Sequence, residues 1–389
     1  MINFKRSINY SSLIFLVAFV MLILSGTLRM TMFVPQYRMI ARMCTLFDYL
    51  PLLLVTAKVL LLDKLANRKK MVFVLLGLIL LYSSYVSKYH DLTNSYFMIW
   101  GSLGVSLKRI FKTSFFTMLS VLVLTVLGSL LGLIPDLIYL RDGNFRIAAG
   151  TIYPTIFASM VFFTMVAYLC WQFKTTNKKV IMAGFGAMAL VGLIVYIITD
   201  TRNDFICIEL LALVTLWRYY GKALKFNLVR MIILIMPTVV FLWTAVSAFF
   251  FNPSSMLWNF FNQLFSNRLS LVAYAANRYS VQLLGQSLVE HGNGYSLKPV
   301  RHYFFIDSSF SRVMLLNGVI AFIIVYLAIQ VAFYLIISKK QVFLTAFLLI
   351  FVVTMIEGTF STLFMTVAFN VTLFALKVLL PSKEKFGYD

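Results

Sequence analysis

Apolar runs of about twenty residues recur along the chain with little polar sequence between them, and a run of that length covers the hydrocarbon core of a bilayer as a helix. Twelve are read, near 10–28, 43–62, 71–88, 92–107, 114–134, 152–173, 180–199, 204–217, 231–251, 309–337, 341–357 and 359–380, of which 92–107 and 204–217 are short. Backbone polar groups in lipid have to be satisfied within their own segment, so the expected fold is an all-α polytopic membrane protein. With 61% hydrophobic and 12% charged residues, the 389 residues read as a single integral membrane domain with no soluble module at either end. The first run follows Lys5 and Arg6 as a signal peptide would. It is too long for such a segment and lacks a small-x-small cleavage site, so a retained anchor is expected. Cys44, Cys170 and Cys207 fall in or beside the runs without paired spacing, which suggests packing roles rather than disulfides or a metal site.

Orientation follows from the basic residues, which accumulate in short cytoplasmic loops. With the N-terminus inside, the inner segments carry Lys5, Arg6, Lys64, Arg68, Lys69, Lys70, Lys108, Arg109, Lys112, Lys174, Lys178, Lys179, Arg218, Lys222, Lys225, Arg230, Lys339, Lys340, Lys383 and Lys385. The outer segments carry Arg29, Arg38, Arg42, Lys88, Arg141, Arg146, Arg202, Arg268, Arg278, Lys298, Arg301 and Arg312. Both termini are therefore expected in the cytoplasm. The two sets also differ in kind, with 15 Lys and 5 Arg inside against 2 Lys and 10 Arg outside. The net charge of +21 is thus mostly a topology signal, and a nucleic-acid partner is not implied.

The inner loops are short and hold, with the tails, only Asp63, Glu384 and Asp389 as carboxylates. No phosphate-binding glycine loop, H-E-x-x-H, G-x-S-x-G or D-x-D occurs, which disfavours a cytoplasmic enzyme using a nucleotide. The outer face is richer, with Asp91, Asp136, Asp142, Asp200, Asp204, Glu290 and Asp307 beside His90, His291 and His302. Arginine offers a planar fork of donors that matches phosphate oxygens pairwise, and Lys does not reproduce it. An Arg-rich exterior points to a phosphorylated lipid carrier; the plainer reading pairs those Arg with lipid headgroups or with the seven carboxylates.

Four constellations give detail. Arg141 to Arg146 form an outer loop that leads through Gly150 to Pro154, a residue accepted at a helix start. Asp200-Thr201-Arg202-Asn203-Asp204 is a tight outer turn in which two acids flank one Arg, as either a local ion pair or a ligand site. The long exterior loop 252–308, between the ninth and tenth runs, holds Arg268 and Arg278 ten residues apart, a spacing that on a helix lets both flank one groove. Earlier in that loop Leu257, Phe260, Phe261, Leu264 and Phe265 share one helical face, as in a helix lying on a membrane surface. Finally, Arg301, His302, Asp307 and Arg312 cluster where Ser308 or Ser309 would cap the next helix. Asp307 there is either a capping acid or a general base for a sugar hydroxyl.

The spacing Arg146, Gly150, Pro154 resembles the R-x3-G-x3-P outer loop of the Wzy-type O-antigen and capsular polysaccharide polymerases, whose superfamily includes the O-antigen ligases. Thr201-Arg202 resembles that family's Ser-Arg turn, and Asn267-Arg268-Leu269 with Leu284-Gly285-Gln286 is similar to the Arg and Gly landmarks of its long exterior loop. Asp307 to Phe310 with Gly318 resembles its Asp-Asn-x-Tyr segment, and Glu357 with Asn370 its closing pattern. Thr155, Thr201, Ser308 and Phe310 depart from the usual Asn, Ser, Asn and Tyr, which alters the hydrogen-bonding details. Ligases resemble the layout but carry His where Asp307 stands, which favours polymerase.

The resemblance implies metal-independent and cofactor-independent glycosyl transfer at the outer leaflet of a bacterial plasma membrane. The growing chain on undecaprenyl diphosphate would be the donor and a newly flipped lipid-linked repeat unit the acceptor, with a chain-length regulator and a flippase as further partners. Arg141, Arg146, Arg202, Arg268, Arg278, Arg301, His302 and Arg312 would hold diphosphate and glycan, and Asp307 would be the base, with inversion at the anomeric carbon. The alternatives are ligase-type transfer and a lipid-linked oligosaccharide flippase or transporter. Against a transporter of two similar halves stands the short loop 174–179, where a long one is usual. A cavity-lining role is open to few mid-run charges, namely Asp48, Lys58, Glu209 and Lys377, and the two Lys can snorkel inward. The orientation predicts that Cys introduced at Asn293 reacts with an impermeant reagent in intact cells and that Cys at Asn177 does not; labelling at 177 from outside overturns it.

Overall fold

The computed structural model describes residues 10–141, 143–172, 174–175, 177–220, 226–297 and 300–380. Lys5, Arg6, Asp142, Lys222, Lys225, Lys298, Lys383, Glu384, Lys385 and Asp389 lie outside the described residues, as does the side chain of Arg218. The chain is a helical bundle. In order it forms α1 (Tyr10–Arg29), α2 (Phe33–Gln36), α3 (Arg38–Ala57, continued as a π turn to Leu62), α4 (Asn67–Ser87), α5 (Asp91–Gly101) and α6 (Leu107–Leu130). A hairpin follows, β1 (Ile138–Arg141) against β2 (Asn144–Ile147), so the expectation of helices alone is incomplete. Then come α7 (Pro154–Trp171), α8 (Lys178–Thr199), α9 (Arg202–Tyr220), α10 (Phe226–Phe249), α11 (Met256–Leu264), α12 (Arg268–Tyr279), α13 (Ser309–Arg312), α14 (Val319–Ile337) and α15 (Val342–Gly358). A 3-10 helix, Val371–Leu379, ends the described chain.

Among the described residues, eight helices are long and apolar enough to cross a membrane: α1, α3 with its π turn, α4, α6, α7, α8, α10 and α14. The apolar α15 is shorter. The expected 204–217 is the helix α9, and two further expected spans differ in form. Asp91–Gly101 is too short to cross a bilayer core unaided, since 11 residues rise about 16 Å. The helix expected over 359–380 is absent: this stretch winds irregularly before its 3-10 turns, yet 363–375 is buried throughout. It survives because its polar groups are satisfied by protein. The Asn370 side chain accepts from the Thr372 amide at 3.2 Å and donates to Phe364 O at 3.1 Å, while Ser95 Oγ donates to Met365 O at 2.5 Å and accepts from the Val367 amide. The 3-10 segment packs against α5, α6, α7, α14 and α15, and Phe374 meets Phe15 and Phe19 edge-on in the core.

Local chemistry sets the helix ends. Pro154 starts α7, where its missing N–H is no loss. Asn177 caps α8 by accepting from the Lys179 amide at 3.0 Å, and Ser308 caps α13 through the Ser311 amide. The run 309–337 is not one helix, because it passes through a π turn at Val313–Asn317 and breaks at Gly318. Into this break the long loop inserts a backbone segment: Val319 N donates to Gln282 O, Ile320 N to Leu283 O and Gln286 N to Leu316 O.

Loops far apart in sequence meet at one pole of the bundle. Thr31 pairs with Thr151, Tyr295 N donates to Ile152 O, Tyr139 Oη to Ser296 O, and Tyr89 Oη to Thr362 O. The opposite pole gathers the Lys-bearing ends. Lys58, fully buried, pairs with Asp63 at 2.7 Å and donates to Leu103 O, and Lys377 donates to Val105 O. Of the mid-run charges, Asp48 is paired with Arg29 and accepts from Ser25, so it is not available as an isolated intramembrane charge.

Gly285 (φ +101°) and Gly318 (φ +96°) meet face to face, and a Cβ would lie 2.4 Å from Leu316 O at the first and 2.5 Å from Gly285 N at the second. Either change to Ala should lower stability by more than the roughly 1–2 kcal/mol of left-handed strain alone, since backbone has to move. Gly184→Ala, with open space around it, serves as the neutral control. Thermal unfolding in detergent checks this; equal midpoints for all three variants would refute the docking described.

Candidate functional site

The Arg-rich pole is built on three supports. The first is α12, whose first residue, Arg268, donates from Nε to Asp307 Oδ2 at 2.8 Å. Both side chains are about a quarter exposed, 26% and 22%, so the pair is reachable yet only partly screened. A charge-assisted hydrogen bond of this kind contributes about 1.5–3 kcal/mol. The guanidinium also lies over the Phe360 ring at 5.6 Å. Phe360 in turn packs on Phe265, at the end of α11. That helix leaves Met256, Leu257, Phe260 and Leu264 exposed, while Phe261 and Phe265 of the expected apolar face pack on Trp243.

The second support is the loop between Glu290 and Asp307. Glu290 Oε1 accepts from Arg312 Nη1 at 2.8 Å and from the Ile306 amide at 2.9 Å, and Arg312 Nη1 also donates to Ile306 O. The sequence placed Asp307 beside Arg312; the structure gives Asp307 to Arg268 and Arg312 to Glu290. The helix cap is Ser308, which frees Asp307 from that role. Tyr303, partly exposed, has its phenol pushed well above the ordinary value by burial and then by the Asp307 carboxylate, with Arg268 opposing. It therefore stays a neutral hydroxyl within the electrostatic reach of the Arg268–Asp307 pair.

The third is the hairpin. Strand alternation sends residues two apart to one face, and in this register Arg146 pairs with Tyr139 and Arg141 with Asn144, so both Arg share a face, with Arg141 at the tip of the hairpin and Arg146 near its base. Arg146 is buried, donates from Nε to Thr199 O at 2.8 Å and lies over the Tyr153 ring at 5.7 Å. Arg141 is exposed. The Tyr139 phenol, edge-on to Tyr153 at 4.8 Å, is pushed up to about 12 by burial, with the nearby Tyr153 adding to it, and so remains a donor to Ser296 O.

Of the nine residues singled out from sequence, the structure thus brings Arg146, Arg268, Asp307 and Arg312 into the walls of one region. Arg202, Arg278, Arg301 and His302 stay exposed around it with Arg141. Arg268 and Arg278 make separate contacts. They stand at the two ends of α12, about 15 Å apart along its axis, and Arg278 lies over the Tyr274 and Tyr279 rings.

Two features join residues that the sequence reading held apart. Beneath Arg268, Ser159 Oγ donates to Asp204 Oδ1 at 2.8 Å, and Glu357 stands beside them, fully buried, with neither carboxylate oxygen in a well-formed hydrogen bond among the described residues. Asp204 belonged to the outer turn read as an ion pair or a ligand site and Glu357 to the closing pattern of the family resemblance; only the packing of α9 on α15 joins them. The other is a cavity of about 260 Å³ on the far side of Arg312, with Tyr89 and Asp91 in its wall. No family model matches the chain, and neither a curated protein nor a solved structure matches it. No group of His, Cys, Asp and Glu suited to a metal ion occurs among the described residues.

The two glutamates should respond oppositely to neutralisation. Glu290→Gln weakens a pair whose removal strands the buried Arg312, so stability should fall, up to about 3–5 kcal/mol for Glu290→Ala. Glu357→Gln replaces an unpaired buried acid with a neutral amide of the same shape, so stability should hold or rise. Thermal unfolding of the three variants in one detergent checks this; a larger loss for Glu357→Gln than for Glu290→Ala would invert the assignment.

Proposed function

We propose that the chain is a membrane glycosyltransferase that polymerises undecaprenyl-diphosphate-linked oligosaccharide repeat units into surface polysaccharide. On this reading it lies in a bacterial plasma membrane with both termini cytoplasmic and the Arg-rich pole exterior, as the basic-residue asymmetry requires. The span count falls below the twelve apolar runs, because 359–380 lines the interior rather than crossing as a helix.

The observation that carries the reading is the contact of Arg268 with Asp307 at 2.8 Å. Arg268 spends Nε on the carboxylate, which leaves its two terminal nitrogens for phosphate oxygens. Asp307 spends one oxygen, which leaves the other for a hydroxyl proton. In the transfer, Asp307 takes the proton of the acceptor hydroxyl as that oxygen bonds to the donor's anomeric carbon. The bond from that carbon to the diphosphate breaks, and the diphosphate leaves as an anion stabilised by Arg268. Attack opposite the leaving group inverts the anomeric centre. The exposed Arg141, Arg202, Arg278 and Arg301 would gather the anionic carriers, while the buried Arg146 and Arg312 position the walls. The exposed apolar face of α11 fits a helix lying among lipid chains, where a polyprenyl tail would approach. A chain-length regulator and a flippase are the proposed partners.

A second reading, a proton-coupled flippase, draws on the buried Asp204 and Glu357, since intramembrane acids mark ion pathways. Deleting the protein in its host separates the two: single repeat units on the final acceptor mean a lost polymerase, and loss of all exterior lipid-linked units means a flippase. Asp307→Asn should then reduce polymer by about 10²- to 10⁴-fold at normal membrane abundance. A near-normal polymer ladder from Asp307→Asn with collapse on His302→Gln would transfer the base to His302.

A further inference from the structure

The cavity of about 260 Å³ lies between α1, α3, α5, the end of α13 and the irregular segment after α15. Its lining joins the polar Asp48, Asp91, Asn94 and Arg312 to the apolar Phe305 and Phe369. Drug-sized ligands occupy about 300–1,000 Å³, so this one suits a single small ring. Arg312 forms one wall, stacked over Tyr89 at 4.9 Å and Phe305 at 5.1 Å. Its side chain is more than nine-tenths buried, and its Nε has no hydrogen-bond partner among the described residues. Nη1, by contrast, is shared between Glu290 and Ile306 O. A buried guanidinium N–H left open costs about 1–3 kcal/mol unless something occupies the cavity and accepts from it.

Charge narrows the occupant. Asp48 is neutralised by Arg29, and Arg312 by Glu290. Counted by pairs, Asp91 is the acid left over in the wall; burial raises its carboxyl, with the Tyr89 hydrogen bond, Arg312 and His90 opposing, and an anion beside it would raise it further. A diphosphate or an acidic sugar is therefore disfavoured here, in contrast to the Arg268 region. The phenol of Tyr89 is held well above its ordinary value by burial and by Asp91, with Arg312 opposing, so it adds no second negative charge. What remains is a small ring with hydroxyls at its rim and C–H faces for the aromatic and aliphatic walls.

We infer that this cavity is a binding site for one uncharged or amino-bearing pyranose ring. Asp91 and Asn94 take its hydroxyl or amino protons, Arg312 Nε donates to a ring or hydroxyl oxygen, and Phe305 and Phe369 cover its C–H faces. The site lies one Arg–Glu pair away from Asp307, since Glu290 holds both Arg312 and the amide of Ile306. That the ring belongs to a lipid-linked glycan rests on the polymerase reading; that the cavity takes a pyranose does not.

The test is saturation-transfer NMR on the full chain in detergent, with glucose, N-acetylglucosamine, glucosamine, glucuronic acid and inorganic pyrophosphate as separate probes. Transfer to at least one of the first three is expected, reduced about fivefold or more by Asn94→Leu and again by Thr366→Val, which line the same cavity. Glucuronic acid and pyrophosphate should show no transfer that either variant changes. Both variants need a wild-type unfolding midpoint; if Asn94→Leu unfolds the protein, Thr366→Val alone decides. No transfer from any uncharged or amino sugar, transfer unchanged by a folded variant, or variant-sensitive transfer from glucuronic acid overturns the proposal. The two readings fail separately: sugar binding without a polymer defect on deletion keeps the pocket and drops the polymerase, and a polymer defect without sugar binding does the reverse.

Discussion

The Arg312–Glu290 pair fixes the geometry of the whole pole. Two charges removed from water are tolerable only when each is matched and the leftover donors and acceptors are filled. Glu290 meets that condition by accepting twice, once from the guanidinium and once from the Ile306 amide. The result ties the far end of a long loop to the start of α13, and Asp307 is the next residue along. The antiparallel bridge between His291 and Phe304 closes the same loop from behind. Arg268 can then reach Asp307 from α12 without either side chain being held by the loop itself.

Within the bundle the same accounting permits backbone that is not helical. The break at Gly318 would leave carbonyls and amides unpaired against the apolar bundle, and the loop segment 282–286 supplies their partners. Lipid could not have done so. The stretch 359–370 is satisfied by Ser95, Ser309 and the Asn370 side chain, each a short polar group on an otherwise apolar element. These polar positions inside apolar runs are therefore part of the architecture of the site's floor.

That account explains which parts were legible in the sequence. Hydropathy reports burial in something apolar, and it found α1, α6, α7, α8 and α10 to within a turn or so except at the starts of α6 and α10. It could not tell a buried irregular segment from a crossing helix, so 359–380 read as a span. Residue types also gave the amphipathic α11 and the Ser308 cap. Pairings were another matter. Asp307 and Arg312 are five apart and looked like partners, whereas Arg268 is 39 residues from Asp307 and only α12 delivers it. Asp91 was one of seven outer-face carboxylates and Tyr89 was not marked, since their meeting with Arg312, more than two hundred residues later, is set by the fold. Arg141 and Arg146 share one face of the hairpin, and their burial differs because Arg141 stands at its exposed tip and Arg146 near its base.

The latches across the pole also bear on how the protein is made. Tyr295 reaches the Arg29 carbonyl across 266 residues, Ser95 the Met365 carbonyl across 270, and Ser83 bonds Asn317 across 234. Contacts of such sequence separation cannot close before the later partner has left the ribosome, and each carries its own loop-closure entropy. Early helices must therefore wait in the membrane, the Arg29 turn for Tyr295, Ser83 for Asn317 and Ser95 for Met365. The latches close in the order of their later partners, and a chain that stops short of residue 365 leaves Ser95 without the carbonyl that anchors the irregular segment.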